Sequence, residues 1–305
     1  MLVDDVARQY YVARQLLARR AVLATRRLWA QVDQKAIRAT WHGQVGPAVE
    51  RMLTAAQAEA ASTADRYIAA ALKAQGKPDS AEAAVNSAAF AGTASDGRDL
   101  ATLLELSNVY ALQQIQQGAT PSQGLAVGGR WLAQTVGTQV LDASRAANSV
   151  AITTRRHVTG FIRVTNGPAC ARCAILAGRW YRWNADFERH TNCQCGQVPA
   201  DDEDSQGMRA DPMQMFAEGK ITGLSAAETQ AVQDGADLAS VVNAHRGMYS
   251  VGGRTREGVT KRGFAGYRMR SLGVTGGRLT PEAIYAQAAS RSEAIDLLYR
   301  YGYIT

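Results

Sequence analysis

Cysteine and proline are scarce in this chain of 305 residues, which contains four cysteines and seven prolines. All four cysteines lie between positions 170 and 195. No run of 18 or more apolar residues occurs, which argues against a membrane-spanning helix. The first residues, Met-Leu-Val-Asp-Asp-Val, include early acids and no apolar segment, so no secretory signal is expected. Cysteines grouped in one place fit a metal site in a reducing cytosol better than a disulfide scaffold.

Signatures of common enzyme classes are also missing. The sequence contains no His-x-Glu, no His-Glu-x-x-His, no Gly-x-Ser-x-Gly and no P-loop, which removes the simplest deaminase, zinc protease, serine hydrolase and P-loop NTPase patterns. Asp186 and Glu188 lie near the cysteines and either could act as a general base, but nothing in their spacing requires it. His245 could touch a phosphate or a carboxylate. We therefore expect no catalytic residues and a protein that is not an enzyme.

Positive charge is concentrated in the middle of the chain. The formal net charge is +7, and residues 151–200 carry seven Lys and Arg against two Asp and Glu. A second basic segment follows, with Arg254, Arg256, Lys261, Arg262, Arg268 and Arg270. This pattern indicates contact with nucleic acid or with an acidic surface, and a solvated arginine-rich face explains it equally well.

Residues 1–150 have the period of amphipathic helices, and we expect a mainly α protein. One predicted helix extends to about Trp41 and another from Val49 to Ala71, and Asp79 with Glu82 resembles a capping box that opens a short helix. Asp99 and Thr120-Pro121 begin two further helices. The Ala-rich faces are narrow, so these helices form either a compact bundle or an arm that packs on a partner, and the arm is favoured.

Residues 151–200 are expected to form a small α+β module, and residues 201–305 a region of short helices with a basic loop. The segments 157–164 and 179–183 are predicted strands. The acidic run at 201–204 is predicted to be a solvated linker, and the basic segment 249–277 an extended loop or arm. Asp211-Pro212 and Ser225 with Glu228 open short helices, and Thr280-Pro281 begins a final helical pair.

Five candidate zinc ligands occur in the module: Cys170, Cys173, His190, Cys193 and Cys195. A structural zinc takes four ligands in a tetrahedron, and a Cys-x-x-Cys turn supplies two of them in many sites. The favoured set is Cys170, Cys173, His190 and either Cys193 or Cys195, which spacing does not separate. Two disulfides, or a metal-free packed site, are the remaining alternatives.

The order and spacing of these ligands resemble the minor head proteins of tailed bacteriophages of the Mu F type. The shared pattern is Phe161-Ile-Arg-Val164, Cys-x-x-Cys, Leu176-Ala-Gly178, an aromatic strand, and His-x-x-Cys-x-Cys. The flanks are similar to actinobacteriophage relatives at positions 211–213, 223–225, 243–247 and 255–258 and at the C-terminal Leu-Leu-x-Arg-Tyr-Gly-Tyr-Ile.

This resemblance implies a structural minor capsid protein, made in the host cytoplasm and located in the virion, inside the capsid near the portal vertex. It implies a role in head assembly and in genome packaging or delivery. The implied partners are the portal protein, the major capsid protein and possibly packaged DNA, in several copies of a symmetric assembly and without a membrane. Some relatives are described as capsid maturation proteases, so a protease or other zinc hydrolase is one alternative, and a DNA-binding zinc module is another.

Overall fold

The computed structural model describes residues 2–165, 167–187, 190–191, 193, 195–203, 208, 210–245, 250–256, 259 and 264–304. The helices are α1 Val3–Trp29, α2 Ile37–Thr40, α3 Gly46–Ala61, α4 Ala64–Ala74, α5 Leu100–Gln116, α6 Pro121–Thr153, α7 Ala171–Ala174, α8 Pro212–Ala217, α9 Ala226–Gln233, α10 Leu238–Asn243, α11 Phe264–Ser271, α12 Pro281–Gln287 and α13 Arg291–Arg300. The strands are β1 Gly160–Val164, β2 Ala169–Cys170, β3 Trp180–Arg182, β4 Gly196–Pro199, β5 Ile221–Thr222, β6 Ser250–Val251, β7 Arg254–Thr255 and β8 Arg278–Leu279. The prediction of a mainly α protein is confirmed.

The chain divides into two compact units. Unit 1 consists of residues 1–166 and 178–209, and unit 2 consists of residues 167–177 and 210–305. The predicted central module, residues 151–200, therefore contributes to both units. Among the described residues, no helix is both long and apolar enough to cross a bilayer.

Unit 1 is a helical bundle with its own core, so the expectation of an extended arm is wrong. Helix α6 packs against α1, α3, α4 and α5. Its N-terminus has the predicted capping box, in which Thr120 and Gln123 satisfy each other's backbone amides, and Pro121 occupies the first turn. Small residues compensate for the narrow apolar faces because they let the helix axes approach closely. The buried core includes Leu17, Trp41, Val49, Leu53, Leu104, Leu132 and Val136.

A three-stranded sheet completes unit 1. Strand β1 lies between β3 and β4 and is antiparallel to both, with Phe161 opposite Tyr181 on one side and Ile162 opposite Val198 on the other. Strand β4 contacts the bundle, where the Tyr67 hydroxyl donates to the Gln197 carbonyl over 2.7 Å. Both predicted strands are confirmed, and residues 196–199, predicted only as the exit of the module, form a strand as well.

Unit 2 is built from short helices and strand pairs around a second core. Helices α9, α10, α12 and α13 contribute Val232, Val241, Ile284 and Leu298, and Tyr303 is buried beside them. The predicted capping box of Ser225 and Glu228 opens α9, and Thr280 with Pro281 opens α12. The extended loop predicted for 249–277 is wrong where the structure describes that segment, because β6, β7 and α11 lie within it.

Candidate metal centre

The first cysteine pair lies in unit 2, at the junction of β2 and α7. Strand β2 pairs in parallel with β5, so Cys170 is opposite Thr222. Cys170 caps α7, and its Sγ accepts a hydrogen bond from the Cys173 amide over 3.3 Å. The two Sγ atoms lie within 4.8 Å of each other. An amide that donates to sulfur favours the thiolate, which is the form that binds metal.

The second cysteine pair lies in unit 1, immediately before β4. Cys193 and Cys195 are both buried, and their Sγ atoms also lie within 4.8 Å of each other. Two thiolates on one tetrahedral zinc are about 3.8 Å apart when each Zn–S bond is about 2.3 Å. The local geometry of each pair is therefore compatible with shared ligation after a small side-chain adjustment.

A buried arginine from the bundle holds the second pair in place. Arg145 of α6 is 1% exposed; its Nε donates to the Cys195 carbonyl over 2.8 Å, and its Nη2 donates to the Cys193 carbonyl. Its Nη1 pairs with Asp142 one turn earlier on α6. Two carbonyls and a carboxylate thus satisfy a charge that would otherwise be costly to bury.

A second buried arginine approaches the sulfur itself. Arg163 on β1 places Nη2 4.0 Å from Cys193 Sγ, and its guanidinium lies 4.3 Å from the centroid of the Phe187 ring. A cation beside sulfur favours the thiolate. Sequence reasoning missed Arg145 and included Arg163 only in the Phe161–Val164 pattern, without a role, because no local pattern distinguishes a buried arginine that supports a site from the exposed arginines around it.

His190 is exposed in unit 1, and its Nδ1 is 2.8 Å from the Thr191 carbonyl oxygen. It lines a pocket of about 460 Å³ together with Asp142 and Asp186. Asp186, one of the two possible general bases, accepts a hydrogen bond from the Phe187 amide, and Glu188 lies outside the described residues. The close thiol pair in each unit could therefore contribute to holding a metal ion.

Part of the predicted basic character is buried rather than presented to a partner. In the central stretch, Arg155 is 2% exposed and pairs with Asp65 and Asp79, and Arg163 is buried beside Phe187. In unit 2, the half-buried Arg268 lies over the rings of Phe264 and Tyr299 and donates to the Ile304 carbonyl. These arginines stabilise the fold, so formal charge overstates the basic surface.

The other predicted contact residues of the basic segment differ in position. Arg254 and Arg256 are exposed, and Arg254 donates to the Gly277 carbonyl over 2.9 Å. Arg270 is exposed on α11. Lys261 and Arg262 lie outside the described residues. Contact of this segment with nucleic acid or an acidic surface stays a prediction.

The fold and the site define a mainly helical protein with a stretch of Cys and His residues able to hold a metal. Residues 1–218 match the model of the VG15 protein family, so the chain belongs to that family. This is a phage protein family, which indicates a phage-encoded protein and a component of the virion. Neither the curated proteins nor the solved structures contain a significant match to the chain.

Proposed function

We propose that the protein is a structural minor capsid protein of a tailed phage, of the Mu F-like type. It lies inside the head near the portal vertex, in several copies of a symmetric assembly. There it contacts the portal protein and the major capsid protein during head assembly and genome packaging or delivery. The observation that carries this proposal is the phage-family match, because residues 1–218 include both the helical bundle and the complete Cys/His stretch.

The proposed cofactor is one structural zinc ion, with Cys170, Cys173, His190 and either Cys193 or Cys195 as its ligands. Three observations support it: thiols that occur in close pairs, an amide directed at Cys170 Sγ, and the guanidinium of Arg145 fixing the backbone of the second pair. Four soft ligands close the coordination shell, which suits a structural rather than a catalytic role. Such a metal contributes its binding free energy to folding.

Zinc content tests the metal part of the proposal. We expect about one zinc per chain to survive gel filtration with a weak chelator. Cys170→Ser should lose the metal and lower the melting temperature, because a removed ligand also removes folding free energy. Cys193→Ser and Cys195→Ser are matched variants. Only the one that replaces the fourth zinc ligand should release zinc. Wild-type protein without zinc, or Cys170→Ser protein with normal zinc content, would contradict this part.

Position in the virion tests the capsid part. Cryo-electron microscopy of whole virions should show density for the helical bundle inside the head at the portal vertex. Cross-linking of virions should join this chain to the portal protein, with a major tail protein as the comparison. A chain found in infected cells but missing from purified virions would rule out the proposed function.

The pocket that contains Asp142, Asp186 and His190 favours a second candidate, a capsid maturation protease or other zinc hydrolase. Asp186→Asn separates the two functions. If the protein is a hydrolase, virions that carry this variant should contain uncleaved head proteins, whereas a structural protein would leave their processing unchanged.

A salt-sensitive affinity for DNA, lost on substitution of Arg254 and Arg256, would instead support a DNA-binding zinc module.

A further inference from the structure

Unit 2 contains a second group of metal-binding side chains that is independent of the cysteines. His245 follows α10, Glu228 lies in the first turn of α9, and Glu282 lies in the first turn of α12. The His245 Nε2 is 3.1 Å from Glu282 Oε2 and 3.6 Å from Glu228 Oε1. One ligand atom from each of the three residues lies within 4.8 Å of the other two.

One serine fixes the orientation of both carboxylates. The Ser225 amide donates to Glu228 Oε2 over 2.7 Å, and the Ser225 hydroxyl donates to Glu282 Oε1 over 2.7 Å. Each carboxylate therefore has one oxygen held by Ser225 and the other directed at His245. Hydrogen bonds of this kind orient the ligands of metal sites and raise their affinity.

The spacing and charge of the group suit a divalent cation. Ligand atoms about 2.1 Å from a metal are about 3.0–3.5 Å apart in octahedral or tetrahedral geometry, close to the two distances from His245 Nε2. Two carboxylates and a neutral imidazole carry two negative charges, and the Glu228 side chain is only 10% exposed. A divalent cation cancels that charge where burial makes it costly.

We propose that Glu228, His245 and Glu282 form a site for a divalent transition metal, Mn²⁺ or Zn²⁺. One nitrogen and two carboxylate oxygens match the donor preferences of these ions. The side chains of His245 and Glu282 are 40% and 42% exposed, so the site is open to solvent. Water, or a carboxylate or phosphate oxygen of a partner, completes the coordination shell.

Titration of the full-length, chelator-treated and reduced protein with Mn²⁺ tests the site, with free Mn²⁺ followed by electron paramagnetic resonance. Mn²⁺ is the chosen probe because thiolates select softer metals, so the cysteine stretch contributes little to its binding. We expect one saturable Mn²⁺ per chain, displaced by Zn²⁺. His245→Gln and Glu282→Gln should each weaken binding by about tenfold or more, and Ser225→Ala by about 10–100-fold.

His42→Gln is the matched control, since His42 lies 3.6 Å from one carboxylate, that of Glu105, in unit 1. Its Mn²⁺ affinity should equal that of the wild type. Melting curves recorded without metal establish whether each variant is folded. If His245→Gln does not fold, the isosteric variant Glu282→Gln provides the test of Mn²⁺ affinity. The proposal is overturned by absence of saturable binding, by unchanged affinity in the folded variants, or by binding that depends on Cys170 instead. A metal-free ion pair between His245 and the two glutamates would give the first of these results.

Discussion

At the scale of single residues, the buried Arg145 and Arg163 support the second cysteine pair of the candidate metal centre. Replacing Arg145 with methionine removes the guanidinium that pairs with Asp142 and donates to the carbonyls of Cys193 and Cys195. Loss of one partner from a buried ion pair costs about 3–5 kcal/mol. We therefore expect Arg145→Met to lower the free energy of unfolding by about that amount, as measured by urea denaturation.

The control for this variant is Arg130→Met, an exposed position on the same helix, which should change stability by less than about 0.5 kcal/mol. Equal stabilities of the two variants would show that the Arg145 hydrogen bonds contribute little. Zinc content gives a second measure, because a looser backbone at Cys193 and Cys195 should also weaken metal binding.

Asp201 gives unit 1 a dependence on acid pH. Burial alone would raise the pKa of this carboxyl, but hydrogen bonds from Lys77 and from the Thr159 amide and hydroxyl bring its pKa below the usual value. Its stabilising effect is therefore complete above the unfolded-state pKa of about 3.9 and disappears as the pH falls through the lower folded-state pKa. The prediction of a solvated linker is wrong at this residue.

Asp201→Asn tests that dependence. Its melting temperature should be clearly lower than that of the wild type at pH 7, and the difference should shrink below about pH 4 as the wild-type carboxylate becomes protonated. Asp296→Asn, at an exposed position on α13, is the comparison and should behave like the wild type. A difference between Asp201→Asn and wild type that stays constant from pH 7 to pH 3 would contradict the assignment.

At the scale of elements, close contact between α5 and α6 shapes the bundle. A Cβ atom at Gly128 would lie 2.4 Å from the Ser107 carbonyl oxygen and 3.0 Å from a ring carbon of Trp29. Overpacking of this kind costs about 1–3 kcal/mol because the neighbouring backbone must move. Gly128→Ala should lower the urea midpoint accordingly. Gly43→Ala, where nothing lies within 4 Å of the new atom, should leave the midpoint unchanged or raise it.

Local signals predicted several helix starts correctly. Asp99, Thr120, Ser225 and Thr280 each accept a hydrogen bond from a backbone amide in the first turn of their helix, as their sequences indicated. The helix predicted at Asp79 is wrong, because the Asp79 carboxylate accepts from Arg155 instead. Nothing within a few residues of Asp79 reveals that partner, since it lies 76 positions further along the chain.

The predicted end of the first helix, at about Trp41, is wrong for a related reason. Helix α1 stops at Trp29, yet Val32, Ile37 and Trp41 continue the apolar pattern because they enter the same core after a turn. The apolar periodicity therefore continues past the C-terminal end of α1, and it overestimates the length of that helix. The same limit applies to the candidate sites. Spacing identified the cysteines as candidate ligands, which stays a prediction, whereas His245 is brought to its two glutamates only by the packing of three separate helices.

At the scale of the whole molecule, the expectation drawn from composition is wrong about how the chain is stabilised. The narrow Ala-rich faces of the N-terminal helices favoured an arm that packs on a partner. Unit 1 compensates through close helix contacts, and it buries Arg145, Arg155 and Arg163 beside acceptors or aromatic rings. Alanine therefore becomes a core residue here, as at Ala60, Ala147 and Ala151, which are at most 2% exposed.

Among the described residues, unit 1 and unit 2 each contain a hydrophobic core of their own, so we expect each unit to carry its own stability. Leu53 in unit 1 and Leu298 in unit 2 are both fully buried, and truncation of either to alanine should cost about 2–5 kcal/mol. Hydrogen exchange read by mass spectrometry resolves where that loss occurs. Leu298→Ala should speed exchange in α9, α12 and α13 while α3 and α6 keep wild-type protection, and Leu53→Ala should do the reverse. If either variant accelerated exchange equally throughout the described helices, the two units would unfold as one cooperative body.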